Sequence, residues 1–104
     1  MLKTILTTSA VALLSLPSVA HAGPAIAISV KDIDSNISCR NKARSKFLEL
    51  GGTGLSSSTD NSQWAGINDM TANVWCRGSQ VIITVAGSDL NAASELRDEL
   101  KKIY

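Results

Sequence analysis

The chain has few side chains that could carry out nucleophilic or metal chemistry. Cysteine occurs at Cys39 and Cys76, and the one histidine is His21. A serine nucleophile needs a base to take its proton, and most zinc and haem sites need histidine or free cysteine ligands. His21 lies in a segment that is typical of a secretory signal, so residues 23–104 would contain no histidine. We therefore expect no catalytic residue, no metal and no cofactor.

Three short segments resemble ligand-binding or catalytic motifs but lack essential residues. Residues 32–36 begin like a calcium loop, yet Ile37 replaces the required glycine and Ala43 replaces the bidentate glutamate. Residues 51–54 are glycine-rich without the Lys-Ser/Thr of a phosphate-binding loop. The serines at 56–58 lack the sequence context of a nucleophilic serine. These departures argue against an enzyme, and a hydrolase that uses Ser, Lys or Asp remains the second alternative function.

Residues 1–22 contain the three parts of a secretory signal peptide. Lys3 gives a basic start, an apolar run extends to Leu16, and Ala20-His21-Ala22 forms a small-residue cleavage site. The apolar run is shorter than the roughly 20 residues that a membrane-spanning helix needs. We expect a cleaved signal and a single domain over residues 23–104, with no membrane anchor and a periplasmic or secreted location. The alternative is an uncleaved amphipathic N-terminal helix.

The charges of the remaining chain balance. The whole sequence has ten Lys and Arg against nine Asp and Glu, for a net charge of +1. Removal of Lys3 with the signal would leave equal numbers of acidic and basic residues. A surface that binds nucleic acid or an anionic membrane usually shows a basic excess. We therefore expect no nucleic-acid partner.

Cys39 and Cys76 are predicted to form one disulfide. A domain of this size buries a small core and often needs a covalent link. An oxidising compartment and an even number of cysteines favour this pairing. In the chain-entropy model such a link stabilises the fold by roughly 4 kcal/mol at most. The alternative is a pair of reduced cysteines in the core.

Helical periodicity predicts a first helix from about Ile37 to Leu50, ended by Gly51-Gly52. Its apolar stripe consists of Cys39, Ala43, Phe47 and Leu50. A second helix is predicted from about Leu90 to Ile103, with a capping residue at Asp89. Its apolar stripe consists of Leu90, Ala93, Leu96, Leu100 and Ile103. Asp98 and Lys102 are expected to pair at i, i+4 on its exposed side.

The clearest pattern is the alternation of apolar and polar residues from Thr71 to Ala86. Gly78-Ser79 in its middle predicts a two-residue hairpin turn of the II′ type. The resulting register has one apolar face, which pairs Cys76 with Val81, Val74 with Ile83 and Ala72 with Val85. The other face pairs Trp75 with Ile82, Asn73 with Thr84 and Arg77 with Gln80.

The other strand signals are weaker. Residues 25–30 alternate small with β-branched side chains and predict a short strand or an extended lead-in, and residues 63–67 predict another short strand. Residues 51–62 are rich in Gly, Ser and Thr and predict a loop or a weak edge strand. Together the elements predict an α+β fold, a two-layer sandwich of helix, antiparallel meander of about three strands, and helix. Both helices would cover the Val74 and Ile83 face, and the disulfide would join the first helix to the sheet.

The opposite face of the hairpin is the predicted binding surface. Tryptophan and arginine are enriched where binding energy concentrates in interfaces. The candidate binding residues are Trp75, Ile82, Arg77, Asn73, Thr84 and Trp64. The alternative is that a loop, the N-terminal strand or Trp64 covers this face and buries Trp75.

Residues 64–104 resemble the C-terminal half of small exported bacterial proteins of unknown function. The similar features are Trp64, Gly66, the strand that ends at Cys76, the closing Val85-Ala86-Gly87 and the final amphipathic helix. The resemblance implies a fold and an exported location but no activity.

We therefore expect an exported interaction module that uses the Trp75 face to bind an unknown protein partner or to form a homodimer. The first alternative is a small-ligand-binding protein. Its groove would lie between the helices and Trp64, with residues 51–62 as a lid.

Overall fold

The computed structural model of the protein describes residues 24–104. The predicted signal peptide, residues 1–22, lies outside the described residues. The elements in chain order are β1 (Ala25–Asp32), α1 (Cys39–Glu49), β2 (Thr53–Ser58), β3 (Ser62–Ile67), β4 (Met70–Arg77), β5 (Gln80–Gly87) and α2 (Leu90–Lys101). The predicted α+β class and the antiparallel sheet are confirmed.

The described strands form one antiparallel sheet of five strands in the order β1-β5-β4-β3-β2. The sheet therefore has more strands than the predicted meander of about three. β2 forms in the Ser- and Gly-rich segment because its backbone pairs with β3, although its side chains are mostly exposed. β1 pairs along its whole length with β5, far away in sequence. Neither pairing depends on a strong apolar alternation in the strand. The sequence pattern therefore predicts fewer strands than the sheet contains.

The predicted β4–β5 hairpin is confirmed in every pair. Val74 is opposite Ile83, Cys76 is opposite Val81, and Trp75 is opposite Ile82. Gly78 has a φ of +59°, as the first central residue of a type II′ turn requires. The apolar face of this hairpin is buried in the core of the protein.

α1 and α2 cover the same face of the sheet. α1 packs on β2, β3 and β4, and α2 packs on β1 and β5. The core between the two layers holds large side chains with no solvent exposure, among them Phe47, Val74, Ile83 and Leu100. The predicted two-layer arrangement, with the helices on the Val74 and Ile83 face, is therefore confirmed. No helix within residues 24–104 combines the length and the apolar character that are needed to cross a membrane.

α1 begins later than predicted. The hydroxyl of Ser35 accepts a 3.2 Å hydrogen bond from the Ile37 N–H, so Ile37 belongs to the turn before the helix. The helix starts at Cys39, and Ser38 at its N-cap makes no side-chain capping bond. Cys39, Ala43 and Phe47 are buried as the stripe predicts, and Leu50 is half-buried just beyond the helix end.

α2 has the predicted cap and begins at Leu90 as predicted, but it ends at Lys101 rather than at Ile103. The carboxylate of Asp89 accepts hydrogen bonds from the backbone N–H groups of Asn91 and Ala92, at 2.9 and 3.5 Å. Leu90 was expected in the buried stripe, yet it is 56% exposed. At 100° per residue it points about 90° away from the centre of that stripe, which consists of Ala93, Leu96 and Leu100.

The expected pair between Asp98 and Lys102 is also wrong. The ammonium of Lys102 lies 3.1 Å from the Glu99 carboxylate, while Asp98 contacts Arg97 at 3.0 Å. Lys102 keeps the helical spacing, because its backbone N–H donates a 3.2 Å hydrogen bond to the carbonyl of Asp98. Its ammonium nevertheless contacts the carboxylate three residues before it rather than the one four residues before it. The pKa of Glu99 is lowered by its hydrogen bond from Lys102 and by the nearby positive charges of Lys102 and Lys46.

The predicted disulfide between Cys39 and Cys76 is present, with an S–S distance of 1.98 Å and a Cα–Cα distance of 6.1 Å. It joins the first residue of α1 to β4. Both cysteines are buried, so the bond is a link inside the core between the helix layer and the sheet.

Candidate binding surface

The face of the sheet that the helices leave uncovered is here called the outer face. Side chains alternate along each strand, so the residues next to those of the core point to the outer face. Its apolar members are Ile26, Ile28 and Val30 of β1, Ile82 and Ala86 of β5, Trp75 of β4 and Trp64 of β3. Four of these are large and well exposed, with Ile26 at 55%, Ile28 at 56%, Val30 at 53% and Trp64 at 42%. The sheet thus presents apolar side chains to solvent from one edge to its middle.

Strand register arranges these residues in rows across the sheet. One row contains Val30, Ile82, Trp75, Ser62 and Ser58. The next row contains Ile28, Thr84, Asn73, Trp64 and Ser56. The two indoles are diagonal neighbours in adjacent rows, a spacing at which aromatic side chains can interact. The outer face is therefore apolar towards β1 and rich in hydroxyl groups towards β2.

All the predicted binding residues lie on this face. Trp75, Ile82, Asn73, Thr84 and Trp64 belong to the two rows. Arg77 is opposite Gln80 at the end of the hairpin, and its guanidinium carbon lies 5.2 Å from the centre of the Trp75 ring. A cation over an indole at this distance is attracted by the electrons of the ring. Arg77 therefore covers part of Trp75 and borders the apolar surface with a positive charge.

Trp75 is half-buried and held in one orientation. Its indole N–H donates a 2.9 Å hydrogen bond to the backbone carbonyl of Asp60, in the turn between β2 and β3. Asn61 in the same turn donates from its side-chain amide to the carbonyl of Cys76 at 3.1 Å. The turn thus packs against β4 beside the disulfide. It covers one edge of Trp75, while Trp64 remains the more exposed indole.

The polar cluster of Ser58, Asp60 and Ser62 stabilises the turn between β2 and β3. The carboxylate of Asp60 accepts hydrogen bonds from the hydroxyl groups of Ser58 and Ser62. These bonds, that from Ser58 most strongly, lower the pKa of Asp60. A carboxylate with a lowered pKa is a poor general base near neutral pH. The serine hydroxyls that donate to this carboxylate hold the turn in shape.

Strand β2 places the three serines that were considered as possible nucleophiles on opposite faces of the sheet. Ser56 and Ser58 lie in the outer-face rows, whereas the hydroxyl of Ser57 donates a 2.8 Å hydrogen bond to the side chain of Gln63. Gln63 is buried, and its amide also donates to the carbonyl of Ser56 at 2.9 Å. Within residues 24–104, no group of three or more His, Cys, Asp or Glu side chains is placed to hold a metal ion.

The groove expected between the helices and Trp64 is wrong. Trp64 is opposite Asn73 on the outer face, so the sheet separates its side chain from α1 and α2. Most of the proposed lid is the paired strand β2 and its turn to β3. A surface depression of about 320 Å³ does exist on the helix side, bordered by Asp34, Lys42 and Tyr104, but it does not include Trp64.

The three exposed residues of β1 were missed as binding residues by the sequence reasoning. Their alternation with Ala25, Ala27 and Ser29 was visible and predicted a strand. Ala27 is buried beneath the helix layer, whereas the larger Ile and Val side chains are exposed. Because α2 packs directly on β1, small residues fit that side and the bulky residues point outward. The alternation of small with large apolar residues in β1 was the sequence signal that could have indicated an exposed apolar face.

Comparison of the sequence with models of known protein families gives no match, and comparison with curated proteins gives no similar sequence. The resemblance to small exported bacterial proteins therefore stays a prediction.

Proposed function

We propose that this protein is an exported, non-catalytic interaction module that binds a protein partner through the outer face of its sheet. The observation that carries this proposal is the exposure of Ile26, Ile28, Val30 and Trp64 on one uncovered face. Scattered single apolar residues are normal on a protein surface, but a contiguous apolar patch is typical of an interaction site. On this face the exposed residues belong to adjacent rows.

The chemistry of the face favours a protein partner. Its middle contains indole, aliphatic, hydroxyl and amide groups, and its charged groups Asp32, Asp60 and Arg77 lie towards one end. Nucleic acid would require several positive charges along the surface. A protein interface instead has an apolar centre, enriched in aromatic residues, with a polar rim. The outer face has that composition.

The disulfide supports the exported location. Cys39 and Cys76 are bonded to each other, and bonds of this kind persist in the periplasm and outside the cell rather than in the cytosol. Together with the signal-like residues 1–22, this supports a periplasmic or secreted interaction module.

Site-specific photocrosslinking tests the proposed function. A photoreactive p-benzoyl-phenylalanine in place of Trp64 is irradiated in the native host, and Leu48 carries the same group in a matched control. Leu48 is 57% exposed but lies on α1, on the helix side of the molecule. We expect a discrete protein adduct from position 64 that position 48 does not give. The same adducts from both positions, or none from position 64, would contradict the proposal.

A further inference from the structure

The two edges of the sheet differ in how well they could accept another strand. The pairing of β2 with β3 is irregular, with a register shift between Thr53 and Ser56. Gly54 within this shift has a φ of +60°. Irregularities of this kind, which bend an edge strand and interrupt its hydrogen-bonding groups, are a common way to prevent sheets from pairing at their edges. The β2 edge is protected in this manner.

The β1 edge has no such irregularity, and its charged residues are confined to its end, at Lys31 and Asp32. All eight residues from Ala25 to Asp32 pair with β5 in unbroken register, and no proline interrupts the strand. In the part of the chain that the structure describes, no strand lies on its other side. Backbone groups along this edge are therefore available to hydrogen-bond an incoming strand. A long, regular and apolar edge strand is a typical site for pairing with another chain.

The side chains of β1 match those of a second copy of the same strand. Two copies related by a twofold axis perpendicular to the sheet pair in antiparallel orientation and keep their outer faces on the same side. With the axis at Ile28, this residue is opposite Ile28 of the second copy, and Ile26 is opposite Val30. Every exposed apolar residue of one strand then contacts an exposed apolar residue of the other.

Other registers fit less well. Moving the axis to Ser29 places Ile26 opposite Asp32, and moving it to Ala27 leaves Val30 opposite Pro24. A twofold axis in the plane of the sheet would put the two outer faces on opposite sides and divide the apolar patch. In the register centred on Ile28, Lys31 is opposite Ala25, so no like charges are opposed.

We infer that the protein forms a homodimer by antiparallel pairing of β1 with β1 of a second copy, centred on Ile28. The sheet becomes continuous through both copies, and the two outer faces become one symmetrical surface with apolar β1 strands in its centre. The inference rests on the proposed function in treating the outer face as an interaction surface. It adds the identity of one partner, which is the chain itself.

Cysteine crosslinking tests the register directly. The variants Ile28→Cys, Ile26→Cys and Val30→Cys are made in the full chain, and each is exposed to a mild oxidant. We expect a disulfide-linked dimer from Ile28→Cys alone, because only this position is opposite itself. A mixture of Ile26→Cys and Val30→Cys chains should give a linked heterodimer that neither gives alone. Linked dimers formed equally by the three single variants, or none from Ile28→Cys, would overturn the inference.

Sedimentation of the unmodified chain and of two lysine variants provides the second test. Ile28→Lys places two ammonium groups opposite each other at the axis, whereas Leu48→Lys adds the same charge on α1. We expect a dimer whose dissociation constant rises by about tenfold or more in Ile28→Lys and stays unchanged in Leu48→Lys. Unchanged far-ultraviolet circular dichroism would establish that both variants are folded. An unmodified chain that is monomeric at all concentrations would overturn the inference, and so would equal weakening by both lysines.

The two proposals can fail separately. A monomeric chain that still gives the position-64 adduct would remove the homodimer and leave the proposed function. A dimer linked through Ile28→Cys without any adduct at position 64 would keep the homodimer and contradict the binding of a further protein.

Discussion

The phenol of Tyr104 donates a 2.8 Å hydrogen bond to the backbone carbonyl of Cys39. Cys39 is also the residue whose sulfur is bonded to Cys76. Tyr104, the start of α1 and strand β4 therefore meet at one residue. The start of α1, which has no side-chain cap, is instead held by the disulfide and by the hydrogen bond from Tyr104.

The disulfide should contribute a large part of the stability. We expect the double variant Cys39→Ala/Cys76→Ala to lose up to about 4 kcal/mol of unfolding free energy, because its unfolded chain is no longer constrained. Urea denaturation followed by tryptophan fluorescence measures this loss. Reductant should destabilise the unmodified protein to a similar degree and leave the double variant unaffected. A double variant as stable as the unmodified protein would contradict the assigned role of the disulfide.

Tyr104 should make stability depend on pH in the alkaline range. Burial raises the pKa of Tyr104 above its ordinary value of 10.0. A raised pKa means that the folded state holds the phenolic proton more tightly than the unfolded state does. The corresponding stability is present below about pH 10 and is lost as the pH rises further.

Tyr104 is the only tyrosine of the chain, so tyrosinate absorbance reports this residue alone. We expect tyrosinate to appear only at a pH above that of free tyrosine, or together with unfolding. The Tyr104→Phe variant should lose about 0.5–1.5 kcal/mol at neutral pH with its hydrogen bond. It should also show a smaller decline of stability above pH 10. Titration of the folded protein at the pH of free tyrosine would contradict this prediction.

The helix caps give a matched pair of variants. Asp89→Ala removes two hydrogen bonds to the first turn of α2 and should cost about 1 kcal/mol. Ser38→Ala occupies the equivalent position of α1, where the side chain makes no capping bond, and should cost close to nothing. Chemical denaturation of both variants compares the two costs. Equal losses of unfolding free energy in the two variants would contradict a stabilising role of the Asp89 cap.

The two faces of the sheet should respond differently to truncation. Ile83 has no solvent exposure, so Ile83→Ala should cost about 2–5 kcal/mol through lost burial and a remaining cavity. Ile28 is more than half exposed, and Ile28→Ala should cost about 0.5 kcal/mol or less. The comparison is made by urea denaturation at a protein concentration low enough to keep the chain monomeric. A large loss for Ile28→Ala under those conditions would mean that the outer face is covered within one chain.

The β4–β5 hairpin was predictable because its side chains alternate without interruption and Gly78-Ser79 marks the turn. The disulfide was expected from the cysteine count and the signal-like segment. Its position between the two layers followed from two separate periodicities, one placing Cys39 on the buried stripe of α1 and one placing Cys76 on the buried face of β4. Helix ends were less predictable. Leu90 looked like part of the α2 stripe in the sequence, although its direction differs from that of the buried residues.

The edge strands could be predicted less well, because their partners come from pairing in three dimensions. β2 has few apolar side chains, so its sequence indicates a loop as readily as a strand. The Trp75 and Ile82 face was predicted as the binding surface, but Ile26, Ile28 and Val30 became part of it only through the pairing of β1 with β5. The alternation of side chains within a strand identifies its two faces, but it does not show which strands lie beside it in the sheet.

The pairing of β1 with β5 also determines when β1 can fold into the sheet. Within residues 24–104, β1 is the first strand in chain order, and its neighbour β5 is the last. Any process that delivers the polypeptide from its N-terminus, at a ribosome or through a translocation channel, releases β1 long before Gln80–Gly87 is present. Pairing across such a sequence distance slows folding. Residues 33–87 must therefore emerge before β1 can pair with β5, and until then the backbone groups along both edges of β1 have no strand partner.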